Sequence, residues 1–255
     1  MKKIPTLFKR VFTTDHKKTI SSEVTPGCEC VLRGECTATV KRDGACCAII
    51  NGEIYKRYDA KIGKDGKRKM PPAGAIPCQP EPDPITGHWP HWVKCEDGKP
   101  EDKYFLEALR NYKGRRTVLT IKYNYKSFED EFSNSHEVVT FEAIGPHWQG
   151  NPYNLEHDDL ARHGDEKIYP ELLEDEKGMI TFESLRNLLG FHKFNTPTNT
   201  IEGIVFWLDG QPLCKIKRSD FGFPWPPKKS DPVANYIKRF AEVQKQSLGG
   251  LQTFV

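Results

Sequence analysis

Two dipeptides do most to limit the folds open to this chain: Asn51-Gly52 and Asp209-Gly210. Each lies between two runs rich in apolar, β-branched and aromatic residues. Asn-Gly and Asp-Gly accept the positive φ of a tight two-residue turn, whose twist matches that of the strands it joins. Residues 45–51 with 53–58, and 201–208 with 212–217, are therefore expected as antiparallel hairpins. Further strand-like runs are 37–40, 117–125 and 137–144. Residues 101–110 and 180–189 read as helices. Residues 231–248 place Val233, Tyr236, Ile237, Phe240 and Val243 on one side at helical spacing. This order of elements predicts a mixed α+β protein with mainly antiparallel sheet.

With 255 residues, the chain can bury a sizeable core as one large domain or two small ones. Its 37% apolar and 29% charged residues exclude a disordered chain, and no apolar run reaches the length of a membrane span. Residues 1–27 read as a polar, basic lead-in without an apolar signal region, so an intracellular, cytoplasmic protein is expected. A net charge of +3 is small, so any polyanionic partner must be held by local clusters. The eight cysteines are expected as reduced, partly buried thiols. Zinc at Cys28, Cys30 and Cys36 is disfavoured because no second ligand pair completes the set.

Lys41-Arg42-Asp43-Gly44 joins two strand-like runs and would project an amine from a tight turn, although a solvated turn is the ordinary reading of such a tetrapeptide. Residues 201–207 form an apolar strand carrying one acid, Glu202, beside Gly203. A partly buried carboxylate there needs a partner, which a metal or its waters would supply. Strand alternation puts Lys215 and Lys217 on one face, about 7 Å apart, where they repel unless an anion lies between them. A bound phosphate would relieve that repulsion, and the same charges would depress the pKa of Lys41. Glu142 closes another apolar strand and is either an edge residue facing water or an acceptor for a sugar hydroxyl.

Lys41-x-Asp43-Gly44, Glu142-x-x-Gly145, Glu202-Gly203-Ile204-Val205 and Lys215-x-Lys217 resemble, in order and spacing, the motifs of the covalent nucleotidyltransferase superfamily of polynucleotide ligases and mRNA capping enzymes. Several further features are similar to the vertebrate-type ATP-dependent 5′–3′ RNA ligase family. They are Cys46-Cys47, Gly150-Asn151-Pro152-Tyr153, His163-Gly164, and Phe221-Gly222 before Pro224-Trp225. The resemblance spans about residues 35–230. It implies an α+β, ATP-grasp-like adenylation domain over 28–230, with mainly antiparallel sheets flanked by helices. The C-terminal helix within 231–255 would pack on the same domain.

By that resemblance Lys41 would attack the α-phosphate of ATP, giving a lysyl-AMP phosphoramidate and releasing pyrophosphate. Asp43 and Gly44 would belong to the nucleotide-binding turn, and Arg57 would contact phosphate or ribose, with Lys56 as its alternative. Glu142 would bind the ribose hydroxyls and His163 would stack on adenine. Glu202 would organise Mg²⁺, with Mn²⁺ as an alternative, and Lys215 and Lys217 would hold the phosphates. AMP would then pass to a 5′-phosphate RNA end, to be displaced by a 3′-hydroxyl, in the manner of RNA repair.

Only 38 residues follow Lys217, too few for an appended OB fold beside a helix, which argues against capping and duplex-DNA ligation. The absence of a recognisable domain before Lys41 argues against NAD. RNA would be gripped by the basic, tryptophan-bearing insert 61–102 (Trp89, His91 and Trp92) unless those rings dock in the core. A monomer is expected. The competing readings are a nucleotide- or RNA-binding protein of the same fold that does not ligate, and a protein AMPylase.

Overall fold

The computed structural model describes residues 3–12, 18–63, 66–67, 69–84, 86–123, 125–132, 137–196 and 198–226. The helix expected within 231–248 lies outside them, as do Lys64 and Arg68 of the basic insert.

In chain order the elements are β1 (Phe8–Phe12), β2 (Lys18–Val24), α1 (Glu29–Leu32), β3 (Thr37–Lys41), β4 (Ala45–Ile50), β5 (Glu53–Ala60), β6 (Ile76–Pro77) and β7 (Trp89–Lys94). They continue with α2 (Lys103–Tyr123), α3 (Phe128–Phe132), β8 (Val139–Ile144), β9 (Asp159–Arg162), β10 (Lys167–Ile168), α4 (Phe182–Phe191), β11 (Gly203–Leu208) and β12 (Gln211–Lys217). The protein is α+β, and every strand pair within its sheets is antiparallel among the described residues. Both expected hairpins form. Asn51 and Gly52 have φ of 51° and 75°, and Asp209 and Gly210 have 49° and 73°, the doubly left-handed turn that these residue pairs favour.

The chain divides into two compact units. One, within 42–166, is built on a six-stranded sheet in the order β6-β7-β5-β4-β8-β9. Alternation sends Cys47, Ile49, Ile54, Phe141 and Ala143 to one face, where α2 and α3 cover them with Phe105, Tyr112, Phe128 and Phe132. The other face carries Cys46, Ala48, Ile50 and Trp92.

The second unit, within 5–41 and 167–226, has a four-stranded sheet in the order β10-β3-β11-β12. Ala38, Ile204, Phe206, Cys214 and Ile216 point into a core with Leu185, Leu188 and Leu189 of α4. Thr181 caps α4 by accepting from the Ser184 amide, while the Ser184 hydroxyl accepts from the Thr181 amide. The opposite face holds Thr39, Lys41, Val205, Lys215 and Lys217.

Three expectations change. Residues 117–123, rich in β-branched side chains, are the last turns of α2 rather than a strand. Thr117 and Thr120 donate their hydroxyls to the carbonyls of Lys113 and Arg116, four residues back, as helical threonines do. The helix already nucleated over 103–116 propagates more cheaply than an unpaired strand could form.

Much of the basic lead-in, among the described residues, is structured. β1 pairs with β2, and Leu7 and Phe8 are almost wholly buried. Parts of the insert also join the sheet: β7 pairs along its whole length with residues 55–60 of β5, and β6 pairs with β7. Trp92 and His91 are buried there, and Trp89 donates its indole N–H to the Gln79 carbonyl. The docked alternative therefore holds for Trp92 and His91, whose rings are unavailable to stack on a base.

Candidate active site

Residues far apart in the chain meet at the end of the four-stranded sheet because Gly203 is the cross-strand partner of both Lys41 on β3 and Lys217 on β12. Side chains at one level of a sheet share a face, so both lysines rise from the same side across a residue that has no side chain. A Cβ on Gly203 would lie 2.2 Å from the Ile216 carbonyl oxygen, so this close approach requires glycine.

Glu202, one residue earlier and 5% exposed, fills the space between the cations. Its Oε2 is 2.5 Å from Lys41 Nζ and its Oε1 is 3.8 Å from Lys217 Nζ. Lys215, one level further along β12, faces the same way. Three lysines thus surround one carboxylate, leaving an excess of positive charge that suits a polyphosphate.

Lys215 has a lowered pKa. Burial first, and then the charges of Lys41, Lys217 and Arg10, bring its amine down to about 8 against the pull of Glu202. The amino-terminal segment contributes to that environment. Lys215 donates its amide to the Pro5 carbonyl and accepts from the Leu7 amide, so residues 5–7 run along the outer edge of β12. Arg10 is held 3.7 Å from Asp220. Composition read this segment as a lead-in. The signal that could have found its role is the apolar pair Leu7-Phe8 inside a basic stretch.

The other unit gathers the remaining candidates on one sheet face. Glu142 on β8 pairs with Cys46 on β4 and Ala161 on β9. Its Oε1 accepts from the Gly44 amide at 3.2 Å, and its Oε2 lies 3.0 Å from His163 Nε2. The other imidazole nitrogen, Nδ1, is 3.0 Å from Thr140 Oγ1. Both ring nitrogens are therefore engaged in the ring plane, which orients the imidazole and leaves stacking to its faces. A Cβ on Gly44 would sit 2.0 Å from the Ala143 carbonyl oxygen, so glycine is required here too. The Asp43 amide donates to the hydroxyl of buried Tyr153, over whose ring the Arg42 guanidinium lies at 4.8 Å.

Arg57 and Lys56 separate cleanly. Lys56 is turned to the helical face, where Asp102 and Glu101 pair with it. Arg57 points to the side of Cys46 and Glu142 and donates to Asp59 at 2.9 Å. Thr140 escaped sequence reading because its partner His163 is reached through strand pairing.

Among the described residues, no group of three or more His, Cys, Asp or Glu is arranged to hold a metal, and all eight cysteines are free thiols. A divalent ion at Glu202 would draw its other ligands from phosphate oxygens and water, which is how Mg²⁺ is commonly bound beside a nucleotide. No described helix is long and apolar enough to cross a membrane. No model of a known protein family matches the chain, and no curated protein matches it.

Proposed function

We propose that this protein is an ATP-dependent 5′–3′ RNA ligase acting through a lysyl-AMP intermediate on Lys41. The observation that carries the reading is the constellation of Lys41, Glu202, Lys217 and Lys215 on neighbouring strands, assembled around Gly203.

An amine attacks phosphorus only after losing a proton, and Glu202 Oε2 at 2.5 Å is positioned to accept it from Lys41 Nζ. The lone pair then forms the P–N bond to the α-phosphorus as the bond to the pyrophosphate oxygen breaks. Lys215 and Lys217 neutralise the charge that gathers on the phosphate oxygens. Glu202 would hold Mg²⁺, which supplies further charge neutralisation when bound. The motif resemblance would assign the ribose hydroxyls to Glu142, the base to a ring face of His163, and phosphate or ribose to Arg57.

In the second step a 5′-phosphate oxygen of RNA attacks the phosphoramidate phosphorus, and Lys41 leaves with a proton regained. In the third, a 3′-hydroxyl gives up its proton to solvent and attacks the 5′-phosphorus, and AMP departs. Positioning and charge neutralisation supply most of the rate.

Incubation with α-labelled ATP and Mg²⁺, followed by a denaturing gel, tests this. The expected result is label on the wild type and none on Lys41→Ala, with the label moving to 5′-phosphate RNA on addition of RNA. No labelled band would favour a binding protein, and label moving to another polypeptide would favour protein AMPylation.

A further inference from the structure

Helix α2 buries Phe105, Ala108, Leu109 and Tyr112 in the core of its unit. Its outward side is not explained by packing. Lys103, Arg110, Gly114, Thr117 and Ile121 recur at steps of seven, four, three and four residues, which places them in one stripe along the helix.

The charge on this helix is lopsided: six Lys or Arg over 103–123 against a single acid, Glu107. Arg115 and Arg116 are paired with Asp159 and Glu131. Among the described residues, Lys103, Arg110, Lys113 and Lys122 take part in no salt bridge. Ring faces of Tyr104, Phe128 and Tyr123 support the ammonium groups of Lys103, Lys113 and Lys122.

Gly114 adds an independent observation. A Cβ there would meet nothing within 4 Å. Glycine inside a helix costs about 1 kcal/mol relative to alanine, and no neighbour in this unit requires it. What it provides is access, since a partner can approach the helix backbone closely at that point. Beyond it, Val118 and Ile121 are 61% and 82% exposed, and Tyr123 and Tyr125 are also exposed.

We infer that the outward side of α2 docks the sugar–phosphate strand of a nucleic acid. Resting on the function proposed above, that strand is the RNA whose ends are joined. The cations meet phosphates, Gly114 lets the strand lie close, and the exposed tyrosines offer faces for base stacking. An anionic membrane fits less well. A helix lying in a bilayer needs apolar residues along the centre of its buried side and cations at the flanks, whereas here Lys103 and Arg110 occupy the centre.

Fluorescence anisotropy with a labelled, 5′-phosphorylated single-stranded RNA tests this without requiring ATP. R110A/K113A is expected to weaken binding at least about tenfold, and to flatten the slope of log affinity against log salt by about 1.4, or about 0.7 for each lost phosphate contact. Gly114→Leu is expected to keep or raise the thermal midpoint while weakening RNA binding severalfold, a combination a purely structural glycine would not give. The inference is overturned if R110A/K113A binds with unchanged affinity and salt slope. It is equally overturned if the wild type binds phosphatidylserine vesicles and not RNA. Lysyl-AMP formation, measured in parallel, separates the two readings. Normal adenylylation with unaltered RNA binding sinks this surface alone, while lost RNA binding in R110A/K113A with no adenylylation in the wild type sinks the ligase and keeps the surface.

Discussion

Lys41 Nζ and Glu202 Oε2 lie 2.5 Å apart although 161 residues separate them in the chain. The pair forms because β3 and β11 are neighbours with Lys41 opposite Gly203, so the residue before Gly203 reaches the amine. Glu202 also faces Lys217, and a single carboxylate therefore orients one lysine and offsets the charge of another. Glu202→Ala is expected to reduce lysyl-AMP formation by at least about 100-fold, the range typical of losing a group that stabilises a transition state. Single-turnover labelling measures it. Glu202→Gln should retain more of the thermal stability than Glu202→Ala but recover little of the rate, since an uncharged amide does not take up the proton and holds a cation far more weakly than a carboxylate.

Three glycines should respond to alanine in different ways. At Gly203 and Gly44 the new methyl would lie 2.2 and 2.0 Å from a carbonyl oxygen, and strands would have to move apart. Each substitution is expected to cost about 1–3 kcal/mol or more. At Gly114 nothing lies within 4 Å, and Gly114→Ala should stabilise the protein by up to about 1 kcal/mol. Urea unfolding of the three variants should show opposite signs, and a loss at Gly114 would contradict its outward placement.

Lys215 gives the fold a pH dependence of definite sign. Its amine is lowered from 10.5 to about 8 by burial and by the cations around it. Below pH 8 the native state carries the full cost of that charge. As pH rises from 8 toward 10.5 the native state loses its proton first, the unfolded state binds more protons, and this contribution to stability rises. Cys36, Cys46 and Cys95 act oppositely above pH 9, because desolvation holds their thiols up at about 12. The difference between wild type and Lys215→Met isolates the lysine. The variant should be the more stable protein at pH 7, with its advantage shrinking between pH 8 and 9. Nucleotide binding in that window should take up protons, as calorimetry in buffers of different ionisation enthalpy would show. Curves that stay parallel from pH 7 to 9 would contradict the assignment.

His163 links Thr140 to Glu142, and its ring is held by both nitrogens. His163→Ala removes that support together with a stacking face worth about 1–3 kcal/mol. The apparent KM for ATP is therefore expected to rise about 10- to 100-fold, with a smaller change in kcat. His163→Phe should restore part of the affinity by returning a ring. Steady-state adenylylation across ATP concentrations checks this, and a fall confined to kcat would argue against a role in holding the base.

Much of the architecture was legible because turns and strand alternation are local. Asn51-Gly52 and Asp209-Gly210 announced their hairpins, the strand bearing Glu142 was in place while Glu202 stands just before its strand rather than within it, and the shared face of Lys215 and Lys217 followed from a period of two. Errors arose where local chemistry was outvoted. Residues 117–123 have strand-like composition yet continue a helix. Trp92 and His91, in a stretch that composition marks as a loop, are buried because β7 pairs with β5.

What the sequence determined by itself was the two hairpins with their tight turns, several of the other strands, and which of their side chains share a face, since these depend on residues within a few positions of one another. Tertiary structure decided what those faces meet. It set Gly203 between Lys41 and Lys217, ran residues 5–7 along β12 beside Lys215, chose Arg57 over Lys56 for the face of Glu142, and turned the uncovered side of α2 outward. Those relationships depend on which strands pair and which surfaces desolvate, and local pattern does not encode distances between segments more than a hundred residues apart.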